Sequence, residues 1–213
     1  MATYYTTNVY PIQFDVDYPD KSLDRVSTLL RGIYFLPIFV VLALISGIGL
    51  DFNLSLSFNN ITCAGGLLIA PSALMVLFRK KYPRWWFDFN LALLQFANRV
   101  LVYLLLLTDV YPSSEDEQSV HLNIAYPDAD WSLNRFMPLF KWIFAIPHYL
   151  SLIFLTAAVA VVTVTAWGVI LFTGKYPRPM FNFVVNVMRL GNRVVGYAII
   201  LVTDDYPPLR LGV

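Results

Sequence analysis

The chain of 213 residues is 58% hydrophobic and only 14% charged, whereas an ordinary soluble domain is about 45–50% apolar and about 25% charged. A soluble fold of this size could not bury so much apolar surface, so the composition predicts a polytopic, all-α integral membrane protein. The net charge of +1 excludes a global field that would recruit nucleic acid, and a single cysteine, Cys63, excludes an internal disulfide or a cysteine-based metal site.

The first half begins with a polar segment and continues with two long apolar stretches. The N-terminus lacks a basic region followed by an apolar core, so we expect no cleaved signal peptide. Residues 12–18 alternate between apolar and polar, which predicts a short strand. Residues 33–50 and 61–78 carry no charge, and each is just long enough to cross a hydrocarbon core of about 30 Å. The polar residues 51–60 between them predict a helical hairpin.

Basic and aromatic residues border the second apolar stretch. Residues 79–84 include four Lys or Arg, and two tryptophans follow directly. This pattern is typical of a cytoplasmic membrane–water boundary. A Lys-Tyr-Pro-Arg segment recurs in the second half. The predicted interfacial anchors are therefore Tyr82, Arg84, Trp85, Trp86, Tyr176 and Arg178.

An acidic segment, residues 109–130, separates the two halves. It predicts a first repeat at 1–112, an acidic linker at 113–125 and a second repeat at 126–213. The apolar run 143–172 is interrupted by Pro147, so we expect an interfacial segment up to Pro147 and one span beyond it.

Recurring Tyr-Pro pairs indicate an internal tandem repeat. Seven of the thirteen tyrosines precede a proline. Matching residues lie 108 positions apart early in the halves and 94 positions apart later, as in the pairs Tyr18 and Tyr126, Tyr82 and Tyr176, Arg99 and Arg193, and Tyr103 and Tyr197. The difference indicates an insertion of 14 residues in the first copy, near residues 47–60. Repeats of this kind usually place a site at their interface.

The two copies predict four to six membrane-embedded helices together with interfacial amphipathic helices. The basic loops favour the cytoplasm and the acidic linker the other side. We therefore expect a multi-pass protein of the inner (plasma) membrane, whose two copies differ in their number of crossings.

A polar stripe runs along each helix that follows a Lys-Tyr-Pro-Arg segment, at residues 87–108 and 181–203. Three interpretations stay open. The stripe lies in the interface and faces water; the helix spans and its arginines pair with Asp88, Asp109 or Asp204; or the stripe binds an anion or lipid phosphate. The candidate binding residues are Arg99, Arg189, Arg193, Asn98, Asn192, Tyr103 and Tyr197.

Four segments of the second half carry a family resemblance. They are Ile146-Pro147-His148, residues 167–178 (Trp-Gly-Val-Ile-Leu-Phe-Thr-Gly-Lys-Tyr-Pro-Arg), residues 192–197 (Asn-Arg-Val-Val-Gly-Tyr) and residues 203–208 (Thr-Asp-Asp-Tyr-Pro-Pro). Together they resemble the bacterial domain-of-unknown-function family 4389, most strongly over residues 120–208. The first half is similar but lacks the histidine. The resemblance implies a membrane protein and no particular chemistry.

The sequence contains no Gly-x-Ser-x-Gly, phosphate-loop or His-Glu-x-x-His pattern, so we expect no catalytic set, metal or cofactor. We expect His148 to be hydrogen-bonded at the interface, with axial ligation of a haem or chlorophyll as the alternative.

The leading hypothesis for function is a non-enzymatic scaffold or accessory subunit of a larger membrane complex, in contact with lipids and with other membrane subunits or itself. The alternatives are a small transporter or channel with its site at the repeat interface, and a protein that binds lipid headgroups.

Overall fold

The computed structural model of the protein describes residues 10–19, 21–46, 71–116, 118–127 and 133–212. The predicted loop 51–60, most of the stretch 61–78 and Cys63 lie outside these residues. The described elements are β1 (Ile12–Val16), α1 (Arg25–Ser46), a π-helical turn (Met75–Arg79), α2 (Arg84–Leu104), β2 (Val120–Ile124), α3 (Met137–Phe144), α4 (Ile146–Thr173), α5 (Arg178–Val195) and a second π-helical turn (Gly196–Ile200).

The fold is mostly helical, as predicted, but an antiparallel two-stranded sheet corrects the all-α prediction. We call this sheet the ribbon. β1 confirms the predicted strand, whereas β2 lies inside the segment 113–125 that we interpreted as a linker. Phe14 pairs with Leu122 at the centre of the ribbon. Both strands alternate between buried and exposed residues, but the acidic residues before β2 favoured a linker.

The inner face of the ribbon packs on α2 and α5. β1 packs on α5, from the other half of the chain, and β2 packs on α2. The residues of this face are all buried: Ile12, Phe14, Val16, Val120, Leu122 and Ile124. A two-stranded sheet alone is marginally stable in water, so this apolar contact with the helices holds the ribbon in place.

Side chains from the helices bind the outer edges of the ribbon. Arg189 Nε donates a hydrogen bond of 2.9 Å to the carbonyl oxygen of Phe14, and Gln95 Nε2 donates one of 3.2 Å to that of Leu122. Each bond satisfies a backbone acceptor that the partner strand leaves free.

α1 and α4 form a further layer on the side of α2 and α5 that is opposite to the ribbon. α1 packs on α2, α4 packs on α5, and α1 also contacts α4. The exposed apolar residues of α4 recur at helical spacing on one face, at Ile146, Ile153, Phe154, Val161 and Val164. The order of layers is therefore ribbon, then α2 and α5, then α1 and α4.

Three helices of the described part of the chain are long and apolar enough to cross a membrane: Arg25–Ala43, Ile146–Thr173 and Arg178–Ile200. They differ in burial. Within an apolar segment of 18 residues, 17% is buried in each of the first two helices and 67% in the third. α1 and α4 thus present apolar side chains outward, which supports association with a membrane.

The expected interruption at Pro147 is present as a break between two helices. α3 ends at Phe144, Ala145 separates the helices, and α4 begins at Ile146. Pro147 therefore lies in the first turn of α4, where its missing N–H costs no helical hydrogen bond.

Gly196 is the point of closest approach between the ribbon and the end of α5. A Cβ atom there would lie 2.0 Å from Ile12 Cδ1, and Ile12 is itself buried in the core. We expect Gly196→Ala to lower the free energy of unfolding by about 1–3 kcal/mol through overpacking, measured by denaturation in detergent micelles.

Gly191 is the matched control, because an added Cβ there would have no atom within 4 Å apart from its chain neighbours and the backbone of its own helix. We expect Gly191→Ala to raise stability by up to about 1 kcal/mol through helix propensity. Equal stability of the two variants would contradict the close approach.

Candidate functional site

α2 and α5 contact each other through two buried asparagines. Asn98 Nδ2 donates to Asn192 Oδ1 at 2.7 Å, and Asn192 Nδ2 donates to Asn98 Oδ1 at 2.8 Å. Each amide also donates to the carbonyl four residues earlier in its own helix, Leu94 or Met188. The donors of both buried amides are thus satisfied, and the pair fixes the register of one helix on the other.

The polar stripes of the two helices lie on the side that carries the ribbon. Arg189 shows this most clearly: its NH1 donates to Asn186 Oδ1 at 2.8 Å, and its NH2 lies 3.2 Å from Asp15 Oδ1. Asp15 is mostly exposed, so solvent weakens this ion pair. The stripe therefore binds the ribbon as well as lining the space beside it.

Arg99 and Arg193 occupy corresponding positions on α2 and α5, one residue after each asparagine. Arg99 is 6% exposed and Arg193 7% exposed. Arg99 NH1 donates to the carbonyls of Ser113 and Ser114, and Arg193 NH2 donates to that of Gly212. The Nε atom of each is buried without a hydrogen-bond partner. Among the described residues, neither arginine has a carboxylate at ion-pair distance.

A cleft of about 1170 Å³ lies along the ribbon and the two helices. We call it the arginine cleft, because its walls include Arg99, Arg189, Arg193 and Arg210. Its acidic lining residues are Asp15, Glu115 and Asp205. The structure thus brings the three predicted arginines to one cleft. Asn98 and Asn192 are not among its lining residues, and their amides bind each other instead.

Tyr103 and Tyr197 belong to two other arrangements, which we call the cation clamps. In the first, Arg31 NH2 pairs with Asp109, NH1 donates to the carbonyls of Tyr103 and Thr108, and the guanidinium carbon lies 4.3 Å from the centre of the Tyr103 ring. Arg31 is 3% exposed, so this cation is stabilised almost wholly by protein groups.

The second clamp holds Lys141. Its Nζ lies 2.7 Å from Asp204 Oδ1, donates a bond of 2.7 Å to the carbonyl of Thr203, and lies 5.3 Å from the centre of the Tyr197 ring. Burial lowers the pKa of Lys141, and the hydrogen bond and charge of Asp204 oppose that shift. Asp204 therefore offsets part of the cost of burying the ammonium.

The carboxylates of both clamps also bind backbone. Asp109 Oδ2 accepts from the N–H of Asp24, and Asp204 Oδ2 accepts from that of Asn134, each at 2.6 Å. Asp109 and Asp204 therefore pair with the cations of the clamps and not with the arginines of the stripe. Sequence analysis missed these cations, although Arg31 and Lys141 are isolated charges in apolar surroundings.

The predicted interfacial anchors divide into two groups. Trp85 is 65% exposed, whereas Tyr82 and Tyr176 are buried in the core and do not present their hydroxyls to water. The Tyr82 hydroxyl donates to the carbonyl of Ile200 at 2.8 Å. Burial raises the pKa of Tyr176 to about 12. The reason for the difference is that the ribbon ends pack over both Tyr-Pro segments.

Arg84 and Arg178 mark the two ends of the ribbon. The guanidinium of Arg178 lies 4.6 Å from the ring centre of Tyr18. The guanidinium of Arg84 lies 5.5 Å from the ring centre of Tyr126. The Tyr18 hydroxyl donates to the carbonyl of Tyr176. In the same way, the Tyr126 hydroxyl donates to the carbonyl of Tyr82.

His148 is buried, as its position at a helix start allows. Its Nε2 lies 2.8 Å from the carbonyl oxygen of Pro207, and its ring contacts Tyr206 edge-on. Protein groups therefore surround the histidine that we considered as an axial ligand. The described residues contain no group of three His, Cys, Asp or Glu side chains that could hold a metal ion.

These features define a predominantly helical protein whose outer helices are compatible with a membrane. Residues 138–209 match a family described as "Domain of unknown function (DUF4389)", which confirms the predicted resemblance for that part of the chain. The match includes Lys141, His148, Arg189 and Arg193. No curated protein and no solved structure matches the chain.

Proposed function

We propose that the protein binds a phosphate-bearing anion in the arginine cleft, at a membrane. The observation that carries this proposal is the position of Arg99 and Arg193. Both line the cleft, both are more than nine-tenths buried, and neither has a carboxylate partner among the described residues. A lipid headgroup and a soluble organic phosphate share the required chemistry.

The cost of a buried, unpaired cation supports an anionic ligand. Guanidinium loses much hydration on burial. Carbonyl oxygens, together with the ring of Tyr10 at 5.8 Å from the Arg193 guanidinium carbon, replace that charge interaction only in part. A phosphate accepts two parallel hydrogen bonds from the planar fork of an arginine. The cleft volume of about 1170 Å³ lies slightly above the usual range for small-ligand sites, about 300–1,000 Å³.

We also propose that the two halves are tandem repeats related by a pseudo-two-fold axis. The axis would pass through the Asn98–Asn192 pair and the Phe14–Leu122 pair, because each pair joins residues that match between the halves. The two cation clamps and the two ribbon ends support the same relation. The arginine cleft would then lie at the repeat interface.

The other predicted roles and the number of crossings stay predictions. A scaffold or accessory subunit would use the exposed apolar faces of α1 and α4, which lipid also covers well. A transporter would need a path through the layer of α2 and α5, where the two asparagines bind each other directly. Location in an inner membrane likewise stays a prediction.

Two probes test the anion site in the purified protein in detergent micelles. Inorganic pyrophosphate binding is measured by calorimetry, and retention of phosphatidylglycerol against phosphatidylcholine by native mass spectrometry. We expect Arg99→Gln and Arg193→Gln each to weaken binding about 10- to 100-fold, since a hydrogen bond to a charged group contributes about 1.5–3 kcal/mol.

Arg135→Gln is the matched control, because Arg135 is an exposed arginine that does not line the cleft. Its affinity for either probe should equal that of the wild type. Binding of pyrophosphate alone would identify a soluble ligand, and retention of phosphatidylglycerol alone a lipid. The proposal fails if neither probe binds, or if the cleft variants bind as well as Arg135→Gln.

A further inference from the structure

The two outer faces of the protein have opposite character. The outward side chains of the ribbon are polar and exposed: Gln13, Asp15, Asp17, His121 and Asn123. The opposite face is formed by α1 and α4 and exposes large apolar side chains, such as Ile33 at 63%, Phe154 at 68% and Val164 at 70%. The molecule as a whole is therefore amphipathic across its layers.

The ribbon runs beside α5 along the whole length of that helix. The Tyr18 ring contacts Phe181 near the start of α5, the carbonyl of Phe14 binds Arg189, and Ile12 meets Gly196 at the end. α4 lies antiparallel to α5, since Gly174 ends α4 just before α5 begins and Tyr149 packs near Tyr197. Ribbon, α5 and α4 thus run alongside one another.

This geometry conflicts with a spanning orientation of α4 and α5. If both helices crossed the bilayer, the ribbon beside them would lie at the depth of the hydrocarbon. An open sheet edge does not occur in contact with lipid tails, and exposed carboxylates such as Asp15 and Asp17 are costly there. The polar face of the ribbon requires water along its entire length.

The basic residues provide an independent argument. Arg178 lies at Tyr18 and Arg84 lies at Tyr126, which are at opposite ends of the antiparallel ribbon. Spanning helices would put one basic segment on each side of the membrane, whereas Lys and Arg concentrate on the cytoplasmic side. Helices that lie in the membrane plane would put both segments at the same surface.

We propose that the protein lies in a single leaflet, with α1 and α4 in the membrane plane. Their apolar faces contact the lipid tails, and the basic segments at both ends contact the headgroups. The ribbon and the arginine cleft face water. α4 has 28 residues, which gives a helix of about 42 Å, longer than a crossing requires. The partner of the apolar face is therefore the lipid of one leaflet.

Cysteine labelling in sealed vesicles, in which the protein has one known orientation, tests this position in a single leaflet. The background is the full chain with Cys63→Ser, which removes the single cysteine. Lys81→Cys and Lys175→Cys are a matched pair, because both are exposed lysines of a Lys-Tyr-Pro-Arg segment. A membrane-impermeant maleimide is added outside the vesicles, and then to vesicles of the inverted orientation.

We expect both cysteines to react from the same side, together with Gln13→Cys on the ribbon. Phe154→Cys should react only after detergent is added. Labelling of Lys81→Cys and Lys175→Cys from opposite sides would overturn the proposal.

Depth measurements give a second test that does not depend on sidedness. Nitroxide labels at Ile153, Val164 and Phe172 of α4 report their depth through collision with oxygen. An in-plane helix gives a similar depth at all three positions. A depth that is greatest near the middle of α4 and falls toward Phe172 would rule out the in-plane orientation.

Discussion

Asp204→Asn will lower the free energy of unfolding by about 3–5 kcal/mol, because it leaves Lys141 buried without its anion. Lys141 is fully buried and its pKa is already lowered by burial. Asparagine keeps an oxygen that accepts from the N–H of Asn134, so the change removes charge more than it removes hydrogen bonding. Denaturation of the purified protein in detergent measures the effect.

The double variant Lys141→Met/Asp204→Asn should recover most of this loss, since it removes the buried charge as well as its partner. If the double variant is as unstable as Asp204→Asn alone, the clamp is not an ion pair of this kind.

The free energy of unfolding that Asp204→Asn loses relative to the wild type should also become smaller as the pH rises. Removal of the Asp204 charge takes away the main group that opposes the lowering of the Lys141 pKa, so the folded variant releases this proton at a lower pH than the folded wild type does. Between these two folded-state pKa values the stability of the variant rises with pH relative to that of the wild type, because the unfolded state, with a pKa of about 10.4, still binds the proton. Asp109→Asn is the matched control, because Arg31 cannot lose its proton. The free energy of unfolding that Asp109→Asn loses relative to the wild type should be the same at pH 7 and pH 9.5.

The second large effect is expected at the asparagine pair. Asn192→Leu leaves the buried amide of Asn98 without its partner, and we expect a loss of about 1–3 kcal/mol. Asn98→Leu/Asn192→Leu should be more stable than the sum of the two single losses predicts, because no amide is then left unpaired.

Asn182→Leu serves as the control, since Asn182 is an exposed asparagine of α5. Its stability should stay within about 0.5 kcal/mol of the wild type. If the losses in free energy of unfolding of the two single variants add up to that of Asn98→Leu/Asn192→Leu, the two amides do not interact.

The sequence was sufficient to predict the candidate site better than its surroundings. Helical spacing placed Arg189 and Arg193 on one face of α5, and both line the cleft. Arg99 followed from its match to Arg193. Helical periodicity is a local property, so it can be read without knowing the fold.

The ribbon and the clamps depend on contacts that no local pattern encodes. Val120 to Ile124 alternates clearly, but its partner strand lies about a hundred residues earlier. Arg31 is 78 residues from Asp109. For Tyr82 and Tyr176, an amphipathic ring suits either a membrane surface or a core, and only the position of the ribbon decides between them.

The pairing of β1 with distant residues has a consequence for biosynthesis. α1 is complete at residue 46, while the strand that pairs with β1 ends at residue 124. Arg189, which binds the carbonyl of Phe14, follows 175 residues after it. The first strand therefore waits unpaired until the ribosome has made about a hundred further residues, through Ile124. During that time its open edges are exposed to aggregation, and a chaperone that shields extended segments would protect the nascent chain.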